Sequence, residues 1–277
     1  TTFQAIAQPF ALSGSTWLLP LLLRLGGRKR PMDNVDLELL GPQEEEVAMG
    51  SCSRHSALLG LFFPRDYKHF IRRYILDDMP DADREAWKSD FQGVLRKATL
   101  ACGGKPLALK SPSNTGRVPL LLEMFPDARF VNITRDPYVV FRSLEHAYKK
   151  VLPLVQMQEI PWQELGDAIV VGYQAMLQKY LVDRNMIPAG RLVNLRFEDL
   201  EADPLGQIER IYDELELGGF QQLRPQLQDY LEKLGPYVKN NHEISDRVVD
   251  LVNTHWAFAL EALGYERRSV SKAPQLP

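Results

Sequence analysis

Arg135 closes the strand-like segment RFVNIT, Lys110 closes LALK, and Ser143 stands on the helical pattern that follows Arg135. An arginine fork and a serine hydroxyl meeting on one phosphate group would combine charge-assisted hydrogen bonds with a neutral donor. A lysine at the other strand end would neutralise charge as a phosphate leaving group departs. These residue types at these places point to a pocket for an anionic, phosphate-bearing ligand. Each also has a plain structural counterpart: Arg135 paired with a nearby acid, Ser143 facing solvent, and Lys110 snorkelling from the surface.

The elements that must hold these side chains run from Leu107 to Ser143, LALKSPSNTGRVPLLLEMFPDARFVNITRDPYVVFRS, as strand, helix, strand, helix. In an open α/β sheet the carboxyl edge of the strands is where ligands bind. Asp136 is expected to cap the second helix, with Pro137 in its first helical position. Ser143 then lies about 10 Å along the axis at ~1.5 Å per residue, so a ligand touching it lies beside the helix and not on its end. Ser111 and Asn114 read as capping residues for a helix over Thr115–Phe125.

With 277 residues, 45% of them hydrophobic and 9% aromatic, the chain can bury a sizeable core in one large domain or two small ones. Thirty-three basic against 36 acidic side chains leave a net charge of -3, which offers no global attraction for nucleic acid or anionic lipid. Any anion site must be local. Cys52 and Cys102 do not make a disulfide framework, so a reducing, cytoplasmic compartment is expected. No run approaches the ~20 apolar residues of a membrane span; Thr16–Leu25 is short and carries Arg24. No signal-peptide pattern is visible. His55, His69, His146, His242 and His255 lack ligand spacing, so no metal site is expected.

Further helices are expected over Ser15–Leu25, from near Pro42, and over Tyr67–Leu76, Asp83–Cys102, Trp162–Tyr180, Leu205–Leu215, Gln221–Leu234 and Ile244–Leu263, the last stopped by Gly264. Trp87, Phe91, Val94, Leu95 and Ala98 form one apolar stripe. Arg191–Phe197 reads as a third strand. This alternation predicts an α/β fold, a three-layer parallel sheet with added helices.

Three strings carry a family likeness by their order and spacing: LKSPSNTGRVPLLLEMFPDARFVNITRDPYVVFRS, then LRFEDLEADPLGQIERIYDELEL, then THWAFALEALGY. Together they resemble the sulfotransferases that use 3′-phosphoadenosine 5′-phosphosulfate (PAPS), in particular the broad bacterial-type family with KSP…TGR, FPDARF and RDP. The likeness runs from about Thr2 to Tyr265. It implies a sheet of P-loop nucleotide-hydrolase-like type with extra helices. It also implies that Arg135 and Ser143 hold the 3′-phosphate of the nucleotide and that Lys110 stands near the bridging oxygen or 5′-phosphate. Lys239, in Tyr237–Asn241, matches the late basic loop that covers the nucleotide, or is a solvated loop lysine. Pro42–Glu46 resembles the acidic segment facing the acceptor, where Glu44 or Glu46 would take the acceptor's proton. The structural counterpart is a set of acids stabilised at a helix N-terminus.

Two departures from the family pattern matter. Relatives often place histidine after KSP, where this chain has Ser113-Asn114-Thr115. Asparagine cannot act as a general base, which turns attention to the glutamates, to His55 or to another histidine. The second departure concerns the loop that holds the 5′-phosphosulfate. Ser13-Gly14-Ser15-Thr16 is tempting, but no basic residue precedes it, and Gln8 and Pro9 spoil the strand before it. By register it reads as a helix N-cap, with the first strand and the donor loop expected upstream of Thr1. The expected organisation is a single sulfotransferase-like domain over 1–270, incomplete at its N-terminus, and a tail over 271–277.

The resemblance thus implies transfer of a sulfuryl group from PAPS, as co-substrate and without metal, to a hydroxyl or amine of a small-molecule or glycan acceptor. No nucleic-acid partner is expected and no membrane segment in this chain. Leu58–Phe63 and Val151–Met157 are apolar enough to line an acceptor pocket, or are core. A P-loop-type kinase would share the architecture but needs a Gly-rich loop ending in Lys-Ser or Lys-Thr and an acidic strand end for magnesium, neither of which occurs. A non-catalytic nucleotide-binding protein that has lost the donor loop is the third reading.

Overall fold

A computed structural model describes residues 43–234 and 243–270. In chain order the helices and strands are α1 (Glu45–Cys52), α2 (Leu59–Phe62), α3 (Tyr67–Tyr74), α4 (Asp81–Ala101), α5 (Val118–Met124), β1 (Phe130–Thr134), α6 (Pro137–Val155), α7 (Trp162–Asp183), β2 (Leu192–Arg196), α8 (Phe197–Ala202), α9 (Pro204–Glu214), α10 (Phe220–Leu234), α11 (Asp246–His255) and α12 (Ala257–Leu263). The expected helix over Ser15–Leu25, the Ser13–Thr16 segment and Lys239 lie outside the described residues. The chain forms two compact units: residues 1–120 with 145–180, and residues 121–144 with 181–277.

The first unit is helical among its described residues. Its core grows from the stripe expected on α4: Trp87, Phe91, Val94, Leu95 and Ala98 are all buried, and Trp87 stacks on Phe91 at a centroid distance of 4.6 Å. Ala48 and Met49 of α1 and Leu165, Ala168 and Ile169 of α7 add to the buried set. Two glycines are required by close packing. A Cβ at Gly50 would stand 2.7 Å from Leu58 Cδ2, and one at Gly116 would stand 2.5 Å from the Ile75 carbonyl oxygen. The first contact seats the Leu58 segment on α1.

The second unit contains the sheet. β1 and β2 run parallel, in register from Phe130↔Leu192 to Thr134↔Arg196. Val193 and Leu195 face a core completed by Leu215 and Ile211. Their register partners Val131 and Ile133 are exposed. The Asp136 side chain accepts a hydrogen bond from the Tyr138 amide at 2.8 Å, the cap expected for α6. The expected helix over Ile244–Leu263 is broken in two at Trp256, which is fully buried and packs edge-on against Phe141 at 5.7 Å. Gly264 ends α12 in the left-handed conformation, with φ 71°, a region open to glycine at no steric cost.

LALK is not a strand. Residues 105–110 are irregular, and the sheet among the described residues consists of β1 and β2 alone. Strand identity depends on a ladder partner for the backbone polar groups, and LALK has none among the described residues. The helix expected over Thr115–Phe125 is also shorter: a 3₁₀ turn occupies Pro112–Gly116 and α5 begins at Val118. Pro119 explains the start, since proline suits a first helical turn and disfavours helix before it.

Candidate functional site

In the first unit, three consecutive glutamates meet three residues of the 110–117 segment. Lys110 donates to Glu44, the residue that precedes α1. Asn114 Nδ2 donates to Glu45 Oε1 at 2.5 Å. Arg117 Nη1 donates to Glu46 Oε2 at 2.7 Å. Glu44 precedes the helix on extended backbone, while Glu45 and Glu46 are neighbours on α1 and turn by about 100°, so the three carboxylates leave in different directions. The result is three different environments from one residue type.

Glu46 is a buried structural anion. Its Oε1 accepts from the Ser56 hydroxyl at 2.6 Å and the Ala57 amide at 2.8 Å. Arg117, also buried, donates from Nε to the Tyr74 carbonyl and lies 4.9 Å from the centroid of the Trp87 ring. Burial works to raise the Glu46 pKa, but the Arg117 charge and the donated hydrogen bonds outweigh it and hold the carboxyl below its ordinary value. Both oxygens are engaged, and Glu46 is only 5% exposed.

Glu45 was not singled out by the sequence, yet it is the most unusual carboxyl of the three. It is fully buried, and burial raises its pKa against the opposing hydrogen bonds from its own backbone and from Asn114. Its Oε2 has no partner among the described residues, and neither do Asn114 Oδ1 and Ser111 Oγ. The capping role expected of Asn114 gives way to the bond with Glu45. Nothing in the run Glu44-Glu45-Glu46 could have ranked its members.

Lys110 and Glu44 stand outermost, with side chains 81% and 34% exposed. Two residues called independently as catalytic candidates therefore form one ion pair. Both ring nitrogens of His55 are engaged: its Nδ1 bonds Asp90 Oδ2 at 3.1 Å, and Arg54 Nε donates to its Nε2 at 3.3 Å. The two apolar segments singled out for an acceptor pocket do meet, since the Met157 amide donates to the Phe62 carbonyl at 2.8 Å. Leu152 is buried behind them, whereas Leu154 and Met157 face outward.

In the second unit, Arg135 stands just beyond the carboxyl end of β1 with its guanidinium 4.2 Å from the centroid of the Phe197 ring. A guanidinium stacked on a ring face does not spend its in-plane N–H donors on that contact. The acid beside it is taken elsewhere: Arg268 Nη2 donates to Asp136 Oδ2 at 2.6 Å. Glu198, in the first turn of α8, accepts from the Asp136 amide at 3.2 Å and from the Tyr265 hydroxyl at 2.8 Å. Burial would raise its pKa, but these bonds, those of its own backbone and the Arg196 charge keep it lowered. Arg135 thus has no acid partner among the described residues. Ser143 lies on the same side of the unit division, exposed on α6.

The structure therefore brings Lys110 together with Glu44 in one unit, and places Arg135 and Ser143 in the other. Among the described residues, no group of His, Cys, Asp and Glu could hold a metal ion. No described helix is long and apolar enough to cross a membrane.

Comparison with known proteins follows the same lines. A family model described as "Sulfotransferase family" matches residues 13–222. The omega-hydroxy-beta-dihydromenaquinone-9 sulfotransferases Stf3 of Mycobacterium bovis and Mycobacterium tuberculosis are each 31% identical over 261 residues, covering 94% of this chain and 67% of theirs. The crystal structure of sulfotransferase STF9 from Mycobacterium avium superposes with a TM-score of 0.71 at 20% identity, covering 91% of this chain. Sulfotransferase STF1 from Mycobacterium tuberculosis gives 0.57 at 16% identity, covering 86% of this chain. This chain spans 64% of the length of the first of those structures and 60% of the second.

Proposed function

This chain belongs to the sulfotransferase family, and from that premise we propose that it moves a sulfuryl group from PAPS to an acceptor hydroxyl or amine. The observation that carries the donor half of this reading is Arg135. It is an arginine at a strand end, stacked on Phe197 and unclaimed by any acid among the described residues, with an exposed serine hydroxyl further along the same helix-bearing segment. Such a pair fits a phosphate monoester, and we assign Arg135 and Ser143 to the 3′-phosphate. Lys239 is assigned to cover the nucleotide. PAPS, when bound, supplies the activated sulfuryl group, and no metal is called for.

Lys110 and Glu44 are the working pair of the proposal. Lys110 would neutralise the charge that builds on the departing 5′-phosphate, and Glu44 would receive the acceptor's proton. Their ion pair must open for both roles, and exposure makes that inexpensive. Glu46, the other carboxylate expected from the sequence, serves this reading as the buried anchor that fixes α1 against Arg117. For the acceptor we take the chemistry named by the 31%-identical relatives, a hydroxyl on an apolar lipid. That is a small molecule; no nucleic acid is involved. We treat residues 1–270 as one sulfotransferase domain with a tail over 271–277, in the cytoplasm.

The test is transfer of radiolabelled sulfate from PAPS to a panel that includes lipid alcohols, steroids, phenols and glycans. Transfer abolished by Lys110→Ala and by Arg135→Ala supports the assignment. Nucleotide binding without transfer to any member would favour the non-catalytic reading.

A further inference from the structure

Within the first unit, the turn joining α6 to α7 exposes an apolar surface on a backbone that is firmly held. Leu154, Met157 and Trp162 are 68%, 71% and 36% exposed, and Pro153 and Pro161 are exposed beside them. The turn does not hang free. The Met157 amide donates to the Phe62 carbonyl, Arg65 Nε donates to the Glu159 carbonyl at 2.9 Å, and the Arg65 amide donates to Gln158 Oε1 at 3.3 Å. Leu152 and Leu165 anchor the two helices from inside, at 4% and 1% exposure. Water-facing leucine, methionine and tryptophan on so fixed a turn are apolar area held ready for another surface.

We propose that this turn, from Pro153 to Trp162, docks on a lipid bilayer, inserting Leu154 and Met157 with Trp162 at headgroup level. The inference rests on the reading of the acceptor as an apolar lipid, because an enzyme acting on such a molecule must reach it where it is dissolved. The chemistry of the turn matches an interface in two ways. Lys149 Nζ lies 4.5 Å from the centroid of the Trp162 ring, so an amphipathic ring and an ammonium are presented together, as at membrane–water boundaries. Around the apolar tip both signs of charge are exposed, Arg65, Lys68, Lys149 and Lys150 with Asp66, Glu159 and Glu164. A mixed rim complements the paired phosphates and ammonium groups of zwitterionic headgroups. Apolar insertion, not attraction to anionic lipid, should therefore dominate, with weak salt dependence.

The experiment is co-sedimentation of the chain with phosphatidylcholine vesicles at low and high salt, alongside vesicles containing phosphatidylglycerol. Binding is expected to both, little altered by salt, and at least about tenfold weaker for Leu154→Asp/Met157→Asp. Binding of adenosine 3′,5′-bisphosphate in solution by that variant should be unchanged, which shows that it folds. No vesicle binding by the wild-type chain, or equal binding by the variant, overturns the proposal. Binding only to anionic vesicles, lost at high salt, also overturns it, as does self-association of the chain through this turn in place of vesicle binding. If vesicles bind as expected but no acceptor is sulfated, the functional reading fails and the docking surface stands.

Discussion

Glu46→Gln should destabilise the protein severely, whereas Glu45→Gln, one residue away, should stabilise it at neutral pH. Glu46 and Arg117 are 5% and 1% exposed and face each other at 2.7 Å. Removing the carboxylate charge leaves the guanidinium buried without its counter-ion, a change that costs about 3–5 kcal/mol in comparable buried pairs. Against a total stability of about 5–15 kcal/mol that is a large fraction. Replacing both partners, Glu46→Gln with Arg117→Met, should recover much of the loss, because no unpaired charge then remains.

The two glutamates also differ in sign with pH. The Glu46 pKa is depressed below 4.5, so its contribution is present above that ordinary value and fades as pH falls through the lower folded value. The Glu45 pKa is raised above 4.5 by burial, so its neutral form suits the fold and ionisation costs stability as pH rises through the folded value. A neutral glutamine at position 45 removes that cost, and the midpoint at pH 7 should rise. Urea unfolding followed by circular dichroism, at several pH values, measures all of this. A loss under about 1 kcal/mol for Glu46→Gln, or a double variant as costly as the sum of its singles, would refute the buried-pair argument. Destabilisation at pH 7 by Glu45→Gln would refute the account of the unpartnered oxygen.

Arg135→Ala should weaken adenosine 3′,5′-bisphosphate far more than adenosine 5′-phosphate in calorimetric titration, by roughly 1.5–3 kcal/mol, the worth of the charge-assisted bond proposed to the 3′-phosphate. Equal loss for both nucleotides would remove that assignment. Tyr67→Phe breaks the 2.7 Å bond between the Tyr67 and Tyr148 hydroxyls and strands a buried donor, so about 1–3 kcal/mol of stability should go. Adding Tyr148→Phe should restore part of it, and a double variant worse than the single would contradict this. Gly116→Ala sets a methyl group against the Ile75 carbonyl and should cost about 1–3 kcal/mol, a value that thermal unfolding near wild type would exclude.

What could be read from the chain followed the range of the interaction responsible. β1, β2, the Asp136 cap, the stripe on α4 and the Gly264 stop were legible because each is written in a few neighbouring residues. LALK misled because its apolar alternation says nothing about whether a partner strand lies alongside. The break at Trp256 was hidden for a similar reason, since it follows from a ring buried against Phe141, far away in sequence. Arg135 was legible as a strand-end cation. That no described acid claims it, while its neighbour Asp136 is claimed by Arg268, depended on the far end of the chain.

The glutamate triplet was the hardest feature to read, and its geometry carries the strongest functional argument. Three identical side chains in a row offer no local signal, yet the start of α1 between Glu44 and Glu45 sends one to an exposed lysine, one to an asparagine and one to a buried arginine. These partnerships differ greatly in how readily they open. An exposed ion pair such as Lys110–Glu44 contributes about 0–1 kcal/mol, within reach of what an arriving ligand can offset. Breaking the buried Glu46–Arg117 pair would cost several times more. A proton acceptor must be free to move toward the acceptor and to change its charge, and only the outer carboxylate can do so without unpacking the first unit. The buried pair holds α1 in place, and it is to the labile pair at its end that the proposed chemistry is assigned.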